Sequence, residues 1–165
     1  IILLFALKVP QRIIFPSSPT IQLKDCLGNE LEKAIQEVSK KGGSVNPVNA
    51  IMYEGEKVEY LCYTNQYYQT CVNQQPLLRQ HVEREILEQI NSKARICINN
   101  LKRDLESRGF SISSTRQDIS VSINPNNIKV IFFNTFVFNL LYMLFFTSFL
   151  SKIIKVCSIT IPPKG

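Results

Sequence analysis

The sequence has one histidine and, among five cysteines, no C-x-x-C pair. These shortages limit what catalysis or metal binding can draw on. His81 would need an acid–base partner from elsewhere in the fold, and it reads as a solvated helix histidine beside Gln80, near Arg84 and Glu85. Cys62 and Cys71, the closest pair, stand nine positions apart, unlike the spacing of zinc ligands. No dedicated calcium loop is present either. Glu54, Glu56 and Glu59 crowd a turn and read as a solvated acidic tip. In Lys40-Lys41-Gly42-Gly43-Ser44 the lysines precede the glycines and follow a helix, which makes the stretch a helix stop and not a phosphate loop. No catalytic residue, metal ligand or cofactor is therefore expected.

Charge is distributed in a way that excludes a nucleic-acid partner. The net charge is +6, yet between Ser17 and Asn127 thirteen Lys or Arg face thirteen Asp or Glu. The excess comes from Lys8, Arg12, Lys129, Lys152, Lys155 and Lys164, in or beside the apolar ends. Basic residues flanking apolar runs suit a membrane, whereas a nucleic-acid surface gathers them on a folded face.

From Val130 to Ser151 there is no charged residue, and seven of the ten phenylalanines lie between Phe132 and Phe149. A charge-free run of this kind is long enough for a membrane helix, which needs ~20 residues. The expected organisation is a remnant of an N-terminal anchor or signal segment at 1–16 and a disulfide-bonded extracytoplasmic domain at 17–132. A transmembrane helix at 133–151 and a short basic tail at 152–165 follow. By the positive-inside rule, residues 17–127 lie outside the cytoplasm and Lys152, Lys155 and Lys164 inside.

Within the domain, hydrophobic periodicity predicts an α+β fold of two amphipathic helices packed with two β-hairpins. Leu27, Leu31, Ile35 and Val38 recur at helical spacing over about residues 20–41, behind the Ser17-Ser18-Pro19 start signal. Leu78, Val82, Ile86, Ile90, Ala94, Cys97, Ile98, Leu101 and Leu105 do the same over about 77–107. One hairpin turns at Glu54-Gly55-Glu56, and the other at Asn124 to Asn127 between the alternating runs Ile119–Ile123 and Ile128–Phe132.

Four cysteines fall in the neutral stretch, an even set that reads as two disulfides in an oxidising compartment. Cys26 shares a helix face with Leu23 and borders Leu27, and Cys97 shares one with Ala94, Leu101 and Leu105, so packing the stripes brings Cys26 to Cys97. Cys62 and Cys71 bracket a loop short enough to close on itself.

The segment from Tyr60 to Gln75 has the composition of a binding surface. Tyr60, Tyr63, Asn65, Tyr67 and Tyr68 are the candidate binding residues, set among further amides. The alternative is that these tyrosines pack across the two helices and the amides satisfy the loop backbone.

Residues 42–86 resemble a group of uncharacterised membrane-anchored extracytoplasmic proteins of small-genome archaea. The most specific part is the L-C-Y-T-N-x-Y-Y-x-T-C-V-N-Q core at Leu61 to Gln74, and the likeness spans roughly residues 20–132. The resemblance implies an N-terminal anchor followed by an extracytoplasmic domain, and it carries no activity. The expected function is a non-enzymatic cell-surface or envelope domain held at the cell membrane, acting through protein or glycan contacts. The alternative is a pilin-like structural subunit of a surface filament.

Overall fold

Ser18 opens the first helix with an extended backbone, and its side-chain oxygen accepts the Ile21 N–H at 3.3 Å. Pro19 follows in the first turn, where the missing N–H has no partner to lose. The computed structural model describes residues 18–108, 111–139 and 157–161, with side chains over 18–108 and 118–133. Helix α1 (Pro19–Lys40) buries Leu23, Leu27, Leu31, Ala34 and Val38, which fall on one stripe at steps of three and four. It stops where the Gly43 N–H donates to the Val38 carbonyl at 2.9 Å, with Gly42 and Gly43 at φ 80° and 112°.

Gly42 is required for a second reason. A Cβ there would stand 2.9 Å from the Glu59 carbonyl oxygen, because the chain leaving α1 runs against the following hairpin. That hairpin pairs β1 (Ala50–Tyr53) with β2 (Glu56–Glu59) through a two-residue turn, Glu54 and Gly55, both at positive φ as the strand twist favours. A short pair, β3 (Cys62–Tyr63) with β4 (Val72–Asn73), comes next. Helix α2 (Leu78–Ser107) then places Ile86, Ile90, Ala94, Cys97, Ile98, Leu101 and Leu105 in the interior.

The last layer is an antiparallel sheet in the order β5-β6-β7, made of β5 (Ser111–Asn124), β6 (Asn127–Asn139) and β7 (Cys157–Ile161). Val121 lies opposite Val130 and Ile119 opposite Phe132, so alternate residues of both strands share the face that joins the helices in one hydrophobic cluster. Each fully buried Leu, Ile or Phe in that cluster contributes roughly 1.5–3 kcal/mol relative to exposure. The Glu83 carboxylate ties the layers further by accepting the Ile123 N–H at 2.8 Å.

Two bridges join Cys26 to Cys97, with Cα atoms 5.9 Å apart, and Cys62 to Cys71, with Cα atoms 5.4 Å apart. The first crosses the seam between the helices, as the apolar stripes suggest. The architecture is α+β with two helices, and it adds the β3–β4 pair and β7 to the two expected hairpins.

The C-terminal part needs correction. β6 continues through Asn139, so residues 133–139 are strand and not the start of a helix. Phe136 and Phe138 sit in register with Ser114 and Ile112 of β5. A charge-free apolar run satisfies a sheet strand as well as a membrane helix, so its hydropathy does not distinguish them. Residues 157–161, expected in a basic tail, form β7. The remaining residues of the expected membrane helix, 140–151, and the anchor remnant at 1–16 lie outside the described residues. Among the described residues no helix is long and apolar enough to cross a membrane.

Candidate functional site

Between Val45 and Val82 no described residue belongs to the hydrophobic cluster, and no partly buried hydrophobic one packs against it. Among the described residues, ten of the thirteen large apolar or aromatic side chains that stand exposed fall between Val48 and Leu77. Exposed apolar side chains are thus concentrated in the one segment that supplies least to the core.

Polar bonds hold this segment to the scaffold. Ser44, 3% exposed, donates its hydroxyl proton to the Glu59 carboxylate. Having one proton, Ser44 Oγ accepts from the Nε2–H of His81 at 2.6 Å. The Glu59 side chain is 8% exposed and that of His81 16%. Beside them Glu85 accepts the Val45 N–H at 2.8 Å, and Lys41 Nζ donates to the Val45 carbonyl at 3.0 Å. Three parts of the chain meet here: the turn after α1, the end of β2 and the first turn of α2.

These contacts correct two expectations. His81 is not a solvated helix histidine, and Glu59 is not part of a solvated tip, because the first turn of α2 lies against the end of β2. Ser, His and Glu together invite comparison with a nucleophilic triad, but the geometry differs. In a triad the acid bonds the imidazole nitrogen that faces away from the serine. Here Glu59 bonds Ser44 itself. Clefts of about 330 and 320 Å³ open elsewhere, at Lys33, Lys40 and Glu56 and beside the Cys26–Cys97 bridge, and neither is lined by any of the three residues. The cluster is a buried latch. Among the described residues no group of three or more His, Cys, Asp or Glu could hold a metal ion.

The tyrosine segment divides into a base and a tip. At the base Tyr60, half-buried, leans on Tyr63 with ring centroids 5.1 Å apart. Gln74 accepts from Asn49 and donates to the Val72 carbonyl, Asn73 accepts the Gln75 N–H, and Gln75 donates to Glu59 Oε1 at 3.2 Å. The amides leaving the loop therefore satisfy backbone and hairpin, as the packing alternative requires of them.

The tip behaves otherwise. The Gln69 N–H donates to the Gln66 carbonyl at 3.0 Å, closing a β-turn whose two central residues are Tyr67 and Tyr68. Thr64 Oγ1 braces the entry by accepting the Gln66 N–H at 3.2 Å, and the Cys62–Cys71 bridge closes the loop outside it. Central turn positions point away from the chain, which leaves Tyr67 99% and Tyr68 71% exposed. Their rings meet edge to face, 5.5 Å apart and at 88°. Neither packs on a helix. Asn65 is exposed beside them, and the side-chain amides of Asn65, Gln66 and Gln69 have no hydrogen-bond partner among the described residues.

Of the candidate binding residues, Asn65, Tyr67 and Tyr68 thus share the tip, while Tyr60 and Tyr63 meet each other at the base, with Tyr63 itself exposed. The latch escaped sequence reading because its members lie 15 and 37 positions apart and each has ordinary polar neighbours. No protein-family model, curated protein or solved structure matches the chain.

Proposed function

We propose that this chain is a non-enzymatic recognition domain of the cell surface or envelope, held at the membrane and acting through the tyrosine turn on a protein or glycan partner. The observation that carries this reading is the exposure of Tyr67 and Tyr68 at the corners of a disulfide-closed turn that lends nothing to the core. Solvating two aromatic rings is unfavourable, and a turn clamped by a bridge has lost its flexibility before any partner arrives.

Two bridges support an extracytoplasmic location for residues 17–127, since disulfides persist where thiols are not kept reduced. The apolar residues of 1–16 and those beyond Asn139, with Lys8, Arg12, Lys152, Lys155 and Lys164 beside them, supply the membrane affinity. Fractionation of cells expressing the full chain tests this. Recovery in the membrane fraction with both bridges intact is expected, and a freely soluble chain with free thiols contradicts it.

Recognition itself is tested with the full chain in detergent on arrays of glycans and peptides. Binding should depend on the turn and be lost in the Tyr67→Ala, Tyr68→Ala double variant. Binding that the double variant retains in full overturns the assignment of the turn.

A second reading, a pilin-like subunit, draws on the edge of β1. The Glu59 N–H turns away from β1 to the Lys41 carbonyl, so the outer edge of β2 is occupied there. The opposed residue Ala50, and Met52 two further on, then direct their backbone groups to the open edge of β1. Polymers that persist in the Tyr67→Ala, Tyr68→Ala variant would favour this reading.

A further inference from the structure

We infer that the tip of the tyrosine turn is built for a neutral, hydroxyl-rich carbohydrate; this rests on the recognition reading above and narrows it to one ligand class. From Tyr60 through Leu78 the sequence has no charged residue. A carboxylated, sulfated or phosphorylated ligand would therefore meet no basic side chain of this segment, and a cationic one no acidic side chain. Of the acidic residues nearest in sequence, Glu59 is occupied by Ser44 and Gln75.

The groups the tip offers are those a sugar ring uses. A pyranose presents an apolar patch of C–H bonds on one face and hydroxyls around its rim. The C–H bonds carry slight positive charge and settle on the electron-rich face of an aromatic ring. Because Tyr67 and Tyr68 stand edge to face, one ring steadies the other and leaves ring surface open to solvent. Sugar hydroxyls donate and accept at once, and an amide side chain answers with an N–H₂ donor and a C=O acceptor. Asn65, Gln66 and Gln69 carry such amides without protein partners among the described residues, whereas Gln74 and Gln75, away from the tip, are already engaged.

Rigidity completes the case. A sugar gives up strong hydration on binding and gains little from each contact, so a site for it must lose little entropy of its own. The bridge, the Thr64 brace and the β-turn fix the tip beforehand. From Thr64 to Thr70 the chain holds no aliphatic side chain and no arginine. Aromatic residues and arginine dominate the anchors of protein interfaces, and the tip offers tyrosines and amides without arginine.

The test uses the full chain in detergent on three immobilised probes: uncharged polysaccharides (glucan, mannan and galactan), anionic ones (heparin and alginate), and a random heptapeptide library. The expected result is retention on at least one uncharged polysaccharide, unchanged from low to high salt because no ion pair is made. Tyr67→Ala should weaken it about tenfold, since an exposed aromatic contact is worth ~1 kcal/mol or somewhat more. Tyr67→Phe, which keeps the ring, should keep most of the binding. Thermal unfolding of both variants should match the parent, because Tyr67 touches no core residue. Tyr67-dependent retention on peptides or on anionic polysaccharides alone would overturn the neutral-sugar assignment and leave recognition standing. No Tyr67-dependent retention on any probe would overturn both.

Discussion

Gln75 donates from Nε2 to Glu59 Oε1, so the chain leaving the tyrosine turn is fastened to the same carboxylate that holds Ser44. The tyrosine segment and the scaffold therefore share one buried carboxyl group. Removing the hydroxyl between them leaves Glu59 and His81 without their common partner. Ser44→Ala should lower stability by about 1–3 kcal/mol, the usual cost of leaving buried polar groups unsatisfied. Urea unfolding gives the number, and amide exchange should quicken over residues 56–75 more than in β5 and β6. A midpoint equal to that of the parent would show that the latch contributes nothing.

The two bridges are expected to differ in worth. Cys26–Cys97 spans 71 positions and Cys62–Cys71 spans 9. In the chain-entropy model these correspond to roughly 4 and 2.5 kcal/mol. Paired Cys→Ala replacements should reproduce that order in thermal melts, with the reverse order counting against it. Loss of the short bridge should reduce ligand binding beyond its effect on stability, since it frees the turn.

Two glycine-to-alanine changes should have opposite signs. Gly28 lies within α1, and a Cβ there meets nothing within 4 Å, so Gly28→Ala should stabilise by about 0.5–1 kcal/mol through helix propensity. Gly42→Ala has both a positive φ and a backbone clash at Glu59 to accommodate, and it should destabilise by at least ~1 kcal/mol. Differential scanning calorimetry of the pair settles the matter, and a stabilised Gly42 variant would contradict the packing described for that turn.

Glu83 binds the Ile123 N–H from α2 to β5. Glu83→Gln retains a carbonyl acceptor and should be mild, while Glu83→Ala leaves that N–H unpaired and should cost about 1 kcal/mol or more. Equal effects from the two would mean that the charge, shared with Arg79 at 3.0 Å, matters more than the bond to the strand.

Much of the fold could be read beforehand where periodicity is long. The stripes of α1 and α2 repeat over several turns, and Ser18 with Pro19 marks one start, so local chemistry and packing agree. The seam holding Cys26 and Cys97 follows from those stripes. Beyond Phe132 the same reasoning failed, because β6 runs on through Phe136 and Phe138 without any charge to set a strand apart from a helix. The latch was illegible for another reason. What buries His81 and Glu59 is the approach of α2 to the end of β2, a tertiary fact with no local signature. The tyrosine segment lay between these cases: its composition was suggestive, but only the turn at Gln66–Gln69 sets the rings of Tyr67 and Tyr68 apart from the half-buried Tyr60.

Because residues from Thr64 to Thr70 contribute nothing to the hydrophobic cluster and are closed at their base by a covalent bond, the molecule divides its inheritance in two. Substitutions in the helices are disciplined by packing, whereas the tip can accumulate them at little cost to folding. If the turn recognises a partner as proposed, a lineage could change that partner by rewriting seven residues. For the same reason the loop is a natural graft site, where a foreign sequence of similar length could be displayed between the two cysteines on an unaltered frame.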